Sequence, residues 1–158
     1  MKRKTEALLA ALILALFGWT ITRGAAQANS ADPKKHGPIA WMSSLNKARD
    51  IAAKEKKPIL VDFYAEWCGP CQEMLRTTYK DKAVVARSAK FVPVLIDVDK
   101  QSELAEKYGV QAIPTVVFLN AKGEVLQRES GYHTAREFLN IMDSVEKSAA
   151  QAKQTAAR

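Results

Sequence analysis

The sequence is poor in cysteine and in histidine, with two of each in 158 residues. A four-ligand zinc site would have to use all of them, and His36 and His133 stand isolated from Cys68 and Cys71. A fold stapled by several disulfides is excluded as well. No apolar run reaches the ~18 residues of a confident membrane span. Bases outnumber acids, 24 to 17, yet they are scattered singly. The densest group, "KEKK" at 54–57, reads as the solvated end of a helix, so nucleic acid is not an expected partner. Nothing repeats at a fixed period, which excludes a solenoid. What remains is 47% apolar and 26% charged, a globular composition with length for one domain.

The first residues do not belong to that domain. "MKRKTE" precedes the apolar run Ala7–Trp19, and "AQA" follows at 26–28. Positive end, apolar centre and small-residue site are the three parts of a secretory signal, with cleavage expected after Ala28. An uncleaved anchor formed by residues 7–21 is the alternative, kept open by Arg23. Loss of residues 1–28 removes four bases and one acid and lowers the net charge from +7 to +4. The polar stretch 29–38 reads as a linker, with His36 exposed in it. The domain is expected over 39–146, and 147–158 as a flexible, fraying tail.

Along the domain, Ile39 to Trp41 suggest a short first strand. "SSLNKARDIAAKEKK" reads as a helix with Trp41, Leu45, Ala48 and Ala52 at helical spacing, a serine cap, and Pro58 as its stop. "ILVDFYA" (59–65) and "VPVLIDVD" (92–99) are buried strands. Met74, Leu75 and Tyr79 mark the apolar face of a helix between them. "SELAEKYG" is a short helix capped by Ser102 and ended by Gly109, and residues 115–130 form a hairpin. The last helix carries Phe138, Ile141, Met142 and Val145 on one side. The order predicts an α/β fold with a mixed central sheet flanked by helices.

The two cysteines sit in "AEWCGPCQEM", where a strand runs directly into the start of a helix. Free backbone N–H groups and the positive end of the helix dipole favour thiolate at Cys68. Cys71 lies one turn further in, able to resolve the mixed disulfide that attack by Cys68 creates. Gly69 permits close approach of another backbone, and Pro70 is tolerated in the first turn. Trp67 offers a flat apolar surface beside the nucleophile. A structural bridge closes almost no loop and would stabilise little. A metal half-site lacks further ligands, and two inert thiols would not need this setting.

Asp62 interrupts an apolar strand six residues before Cys68. It is either an exposed position of a half-buried strand or a buried carboxyl beneath the thiols. In the second case desolvation raises its pKa and it can exchange a proton with Cys71. Pro114, in "GVQAIPTVVF", is a boundary marker or a cis turn, and sequence leaves the isomer open.

Taken together, these residues resemble the thioredoxin family over about 39–146. "VDFYAEWCGPC" is similar to its active-site strand, and "YGVQAIPTVVFLNAKGE" to its cis-proline loop and hairpin. The resemblance implies the thioredoxin fold, Cys68 as attacking thiol, Cys71 as resolving thiol and Asp62 as buried acid. It also implies that Pro114 is a cis-proline facing the dithiol, and that the backbone at Ile113 pairs with the substrate chain. Tyr64 stands where tryptophan is usual. Pro93 stands where many members carry a lysine near the buried acid, which removes a partner charge. "KARDIAAKEKKPILVDFYAEWC" also resembles the C-terminal thiol domain of transmembrane disulfide reductases of the bacterial envelope.

The expected function is an exported protein-disulfide reductase of the periplasm or cell envelope, fed by a membrane thiol donor. It needs no bound cofactor beyond its own cysteine pair and is expected to be monomeric. Its substrates are protein disulfides and dithiols. The alternatives are an oxidase or isomerase using the same chemistry in reverse, and a tethered binding module without turnover.

Overall fold

A computed structural model of the protein describes residues 36–156. The expected signal or anchor, and the linker up to residue 35, lie outside these described residues.

Strand β1 (Ile59–Tyr64) is buried at all of its positions. Its β-branched and aromatic side chains suit a strand covered on both faces. With β2 (Val92–Asp97), β3 (Thr115–Leu119) and β4 (Val125–Ser130) it forms a sheet of order β2-β1-β3-β4. β1 and β2 run parallel, pairing Ile59 with Val92 and Tyr64 with Asp97. β3 is antiparallel to β1, with Phe63 opposite Thr115, and forms the expected hairpin with β4. Gly123 holds the hairpin turn at φ +86°, a conformation open to glycine.

Helices α1 (Leu45–Glu55), α2 (Gly69–Arg76), α3 (Lys82–Ser88), α4 (Ser102–Lys107) and α5 (Ala135–Ala156) cover the sheet. Alternation along β1 divides the core in two. Ile59, Val61 and Phe63 pack with Leu45, Ala48 and Ala52 of α1 and Ala105 of α4. Leu60 and Tyr64 pack on the other side with α2, α3 and α5. The result is a mixed sheet between two helical layers.

Several local expectations are corrected. The first strand is reduced to one parallel bridge, Met42 to Val94, with Met42 N–H donating to Pro93 O at 3.0 Å. Pro93 thus lies in β2, at the edge of the sheet, facing only that bridge. Trp41 precedes α1 and packs in the opposite core half from Leu45, so their helical spacing is coincidental. Tyr79 is not on α2, which ends at Arg76; it sits in a 3-10 turn, Thr78–Lys80. Helix α3 was not expected; Asp81 caps it, accepting from Ala83 N–H at 2.8 Å and Val84 N–H at 3.2 Å. Ser102 lies inside α4, and the capping position falls on Gln101. Gly109 ends that helix as expected, at φ +63°. His36 is buried rather than exposed, its ring edge-on to Tyr64 with centroids 5.4 Å apart. Helix α5 runs from Ala135 through Ala156. At the start of that helix Thr134 and Glu137 cap each other's backbone N–H groups.

Candidate active site

Sheet register gathers the chemistry at one pole. β1 and β2 end there, at Tyr64 and Asp97, and β3 begins there, at Thr115. The chain leaves Tyr64, turns, and enters α2 at Gly69, which puts Cys68 at the helix cap. Cys68 has extended backbone angles, and its sulfur accepts the Cys71 N–H at 3.2 Å. Cys68 and Cys71 form a disulfide, with Cα atoms 5.3 Å apart. Both are buried, so attack on the pair comes through a narrow approach.

The surroundings of that approach are uneven. A Cβ on Gly69 would meet nothing within 4 Å, so no part of the folded chain demands glycine there. Trp67 is 70% exposed, the most exposed large apolar side chain among the described residues. Its indole N–H donates to Asp99 Oδ2 at 2.9 Å. Asp99 lies just past β2, in a turn that Asp97 organises by accepting the Asp99 N–H at 3.1 Å. Tyr132 is 42% exposed and follows Gly131, whose N–H donates to Pro114 O at 2.8 Å. Asp99 and Tyr132 carry no sequence signal of their own; only the register brings them to this pole.

The Ile113–Pro114 bond is cis, which resolves the isomer left open by the sequence. Pro114 is buried, and Ile113, half-buried, packs against both halves of the core. Both immediately precede Thr115, the partner of Phe63, and so stand at the same pole as the disulfide.

Asp62 is 2% exposed, beside Leu95 of β2 and Val116 of β3 in register. The half-exposed alternative is therefore overturned. Burial pushes its pKa from 3.8 up to about 7, and the Tyr79 hydroxyl opposes a smaller part of that rise. Even so, neither Asp62 Oδ1 nor the Tyr79 hydroxyl completes a hydrogen bond of ordinary geometry. A buried polar group in that condition costs about 1–3 kcal/mol. Burial likewise holds the Tyr64 and Tyr79 hydroxyls above their usual range, neighbouring carboxylates adding to the effect. No helix among the described residues is long and apolar enough to cross a membrane.

Comparison with known proteins gives the same answer as this geometry. The family model described as a thioredoxin-like domain matches residues 45–146. Thioredoxin Y1, chloroplastic, of Arabidopsis thaliana is 36% identical over 113 residues, covering 67% of this chain and 60% of that protein. The thiol:disulfide interchange protein DsbD of Vibrio vulnificus is 34% identical over 113 residues, covering 68% of this chain but 19% of its relative. The chain thus spans about a fifth of that protein's length. A solution structure of a thioredoxin from Thermus thermophilus superposes with a TM-score of 0.61 at 30% identity, covering 68% of this chain and 86% of the other. The chain belongs to the thioredoxin-like family of thiol–disulfide oxidoreductases, with Cys68 and Cys71 as its Cys-x-x-Cys pair.

Proposed function

We propose that this protein reduces protein disulfides outside the cytosol, by dithiol–disulfide exchange through Cys68 and Cys71. One observation carries the reading: the Cys68 sulfur caps α2 and accepts the Cys71 N–H. That donor, with the dipole of α2, stabilises negative charge on the sulfur once the pair is reduced.

In the reduced protein the Cys68 thiolate attacks a substrate disulfide. One substrate sulfur leaves as thiolate, and the other stays bound to Cys68. Cys71 then gives its proton to the Asp62 carboxylate and attacks the Cys68 sulfur. The Cys68–Cys71 bond forms, the bond to substrate breaks, and the second substrate sulfur departs with the electron pair. Asp62 suits the proton step because its pKa of about 7 lies near the operating pH. Trp67 and the open space at Gly69 offer the partner a surface, and the Ile113 backbone at the same pole offers hydrogen bonds to its chain. Export after Ala28, or anchoring through residues 7–21, together with a membrane thiol donor, completes the proposal.

The test is the reduction potential of the pair in glutathione or dithiothreitol buffers. A value near about −270 mV, that of thioredoxin, supports a reductant. A value near about −120 mV, that of a strong disulfide donor, reverses the direction and favours the oxidase.

A further inference from the structure

Tyr79 carries an oxygen that its packing does not use. Its ring is fully buried, edge-on to Trp41 at 5.1 Å and 71° and to Phe138 at 5.4 Å and 73°. Phenylalanine would make both contacts. Asp62 alternates along β1 with Leu60 and Tyr64, so its carboxyl projects to the side of the sheet that holds Tyr79, and each group perturbs the titration of the other. Neither Asp62 Oδ1 nor the Tyr79 hydroxyl completes a hydrogen bond of ordinary geometry in the interior. Buried polar atoms find partners as a rule, so two orphans on the same side of the sheet call for an explanation.

We infer that Tyr79 is a positioning residue for proton transfer: its hydroxyl, aimed by Trp41 and Phe138, donates to the ionised Asp62 carboxylate and sets the pH at which Asp62 accepts the Cys71 proton. The inference rests on the proton role of Asp62 proposed for this site. Tyr79 and Cys71 belong to the same core cluster, so the phenol reaches the carboxyl from the side of the sheet that holds the thiols.

Among the described residues, Tyr79 is the one side chain whose hydrogen bonding figures in the titration of Asp62. From its own strand Asp62 meets Tyr64, whose hydroxyl is directed to Glu66 Oε1 at 3.4 Å and whose ring lies against His36. β2 and β3 present Leu95 and Val116 in register, and α5 contributes Phe138, Met142 and Val145 to the cluster. α2 supplies Cys71, and its cap supplies Cys68. No basic side chain figures in the titration of Asp62. Pro93, the position at which the family resemblance implies a lysine in many members, is neutral here. A donor is thereby supplied from the 3-10 turn instead of from β2.

The test is the pH profile of insulin disulfide reduction, measured from pH 5.5 to 9 for the full protein and three variants. In the unaltered protein the resolving step should rise through pH 7. Tyr79→Phe should move that midpoint upward by about one pH unit, the equivalent of one hydrogen bond. Asp62→Asn should flatten the profile, and Tyr79→Phe combined with Asp62→Asn should match Asp62→Asn alone. An unmoved midpoint in Tyr79→Phe, with Asp62→Asn flat, overturns the inference and spares the role of Asp62. A profile that persists in Asp62→Asn overturns both. Should Tyr79→Phe not fold, the unaltered protein still decides the matter. The Tyr79 Cζ resonance must shift with the midpoint of the Asp62 carboxyl, and a constant Cζ shift from pH 5 to 9 rules the contact out.

Discussion

The indole of Trp67 is tethered to Asp99: a ring 70% exposed is held by a 2.9 Å hydrogen bond to a carboxylate beyond the end of β2. An exposed aromatic normally samples several rotamers, and this tether selects one beside the disulfide. Asp99→Ala should therefore raise KM for a protein disulfide by about threefold to tenfold, the worth of one exposed hydrogen bond of ordinary strength. The kcat should change little, because Asp99 touches neither sulfur. A lowered kcat at constant KM would contradict this division of labour.

The two cysteines should fail differently. Cys68→Ser removes the attacking sulfur and should abolish insulin reduction. Cys71→Ser leaves attack intact and should accumulate a mixed disulfide with substrate, visible as an adduct by mass spectrometry without reductant. Retained turnover in Cys68→Ser would refute the assignment.

Asp62 should make stability depend on pH. Its pKa is raised from 3.8 to about 7 in the folded state, so between those values the folded protein binds more protons than the unfolded chain. The contribution of Asp62 to stability is then fully present below about pH 4 and is lost as pH rises through 7. The full span corresponds to roughly 4 kcal/mol. Urea unfolding at pH 5 and pH 8 should show the protein weaker at pH 8. Asp62→Asn should remove most of that difference, whatever its absolute stability. An equal slope in the variant would locate the pH dependence elsewhere.

Gly69 separates folding from recognition. Since a Cβ there meets nothing within 4 Å, Gly69→Ala should fold normally, with helix propensity favouring it by up to about 1 kcal/mol. Any loss should appear only with partners whose backbone must approach closely. Reduction of a protein disulfide should then weaken while reduction of a small disulfide reagent is unchanged. Thermal unfolding together with both assays measures this, and a drop in Tm would show an internal role instead.

Strands, hairpin and cysteine turn were legible because each rests on local signals: β-branched runs, Gly123 in a turn, a thiol pair at a strand–helix junction. Asp81 is a strong local cap for helix α3, but the apolar spacing of Met74, Leu75 and Tyr79 runs on across the end of α2 and masks that boundary. Trp41 shows the opposite failure. Its spacing to Leu45 is helical, yet the chain crosses the sheet edge at Met42 and sends the two side chains to opposite core halves. His36 looked exposed among polar neighbours, and its burial follows from contact with a residue 28 positions away, Tyr64. The meeting of Trp67 with Asp99, and the placing of Asp62 and Tyr79 on one side of the sheet, depend on register and on the 3-10 turn, which no spacing encodes.

The same register sets the hairpin turn at the pole opposite the disulfide. The hairpin turn around Lys122 lies there, at the Ile59 end of β1, and its backbone is already moored when Arg49 of α1 donates to Lys122 O at 2.7 Å. A fluorophore, surface tether or fusion partner attached through the exposed Lys122 side chain would project away from the disulfide. Immobilised in that orientation, the protein would present its reactive face outward, ready for use as a covalent bait for disulfide-bearing clients.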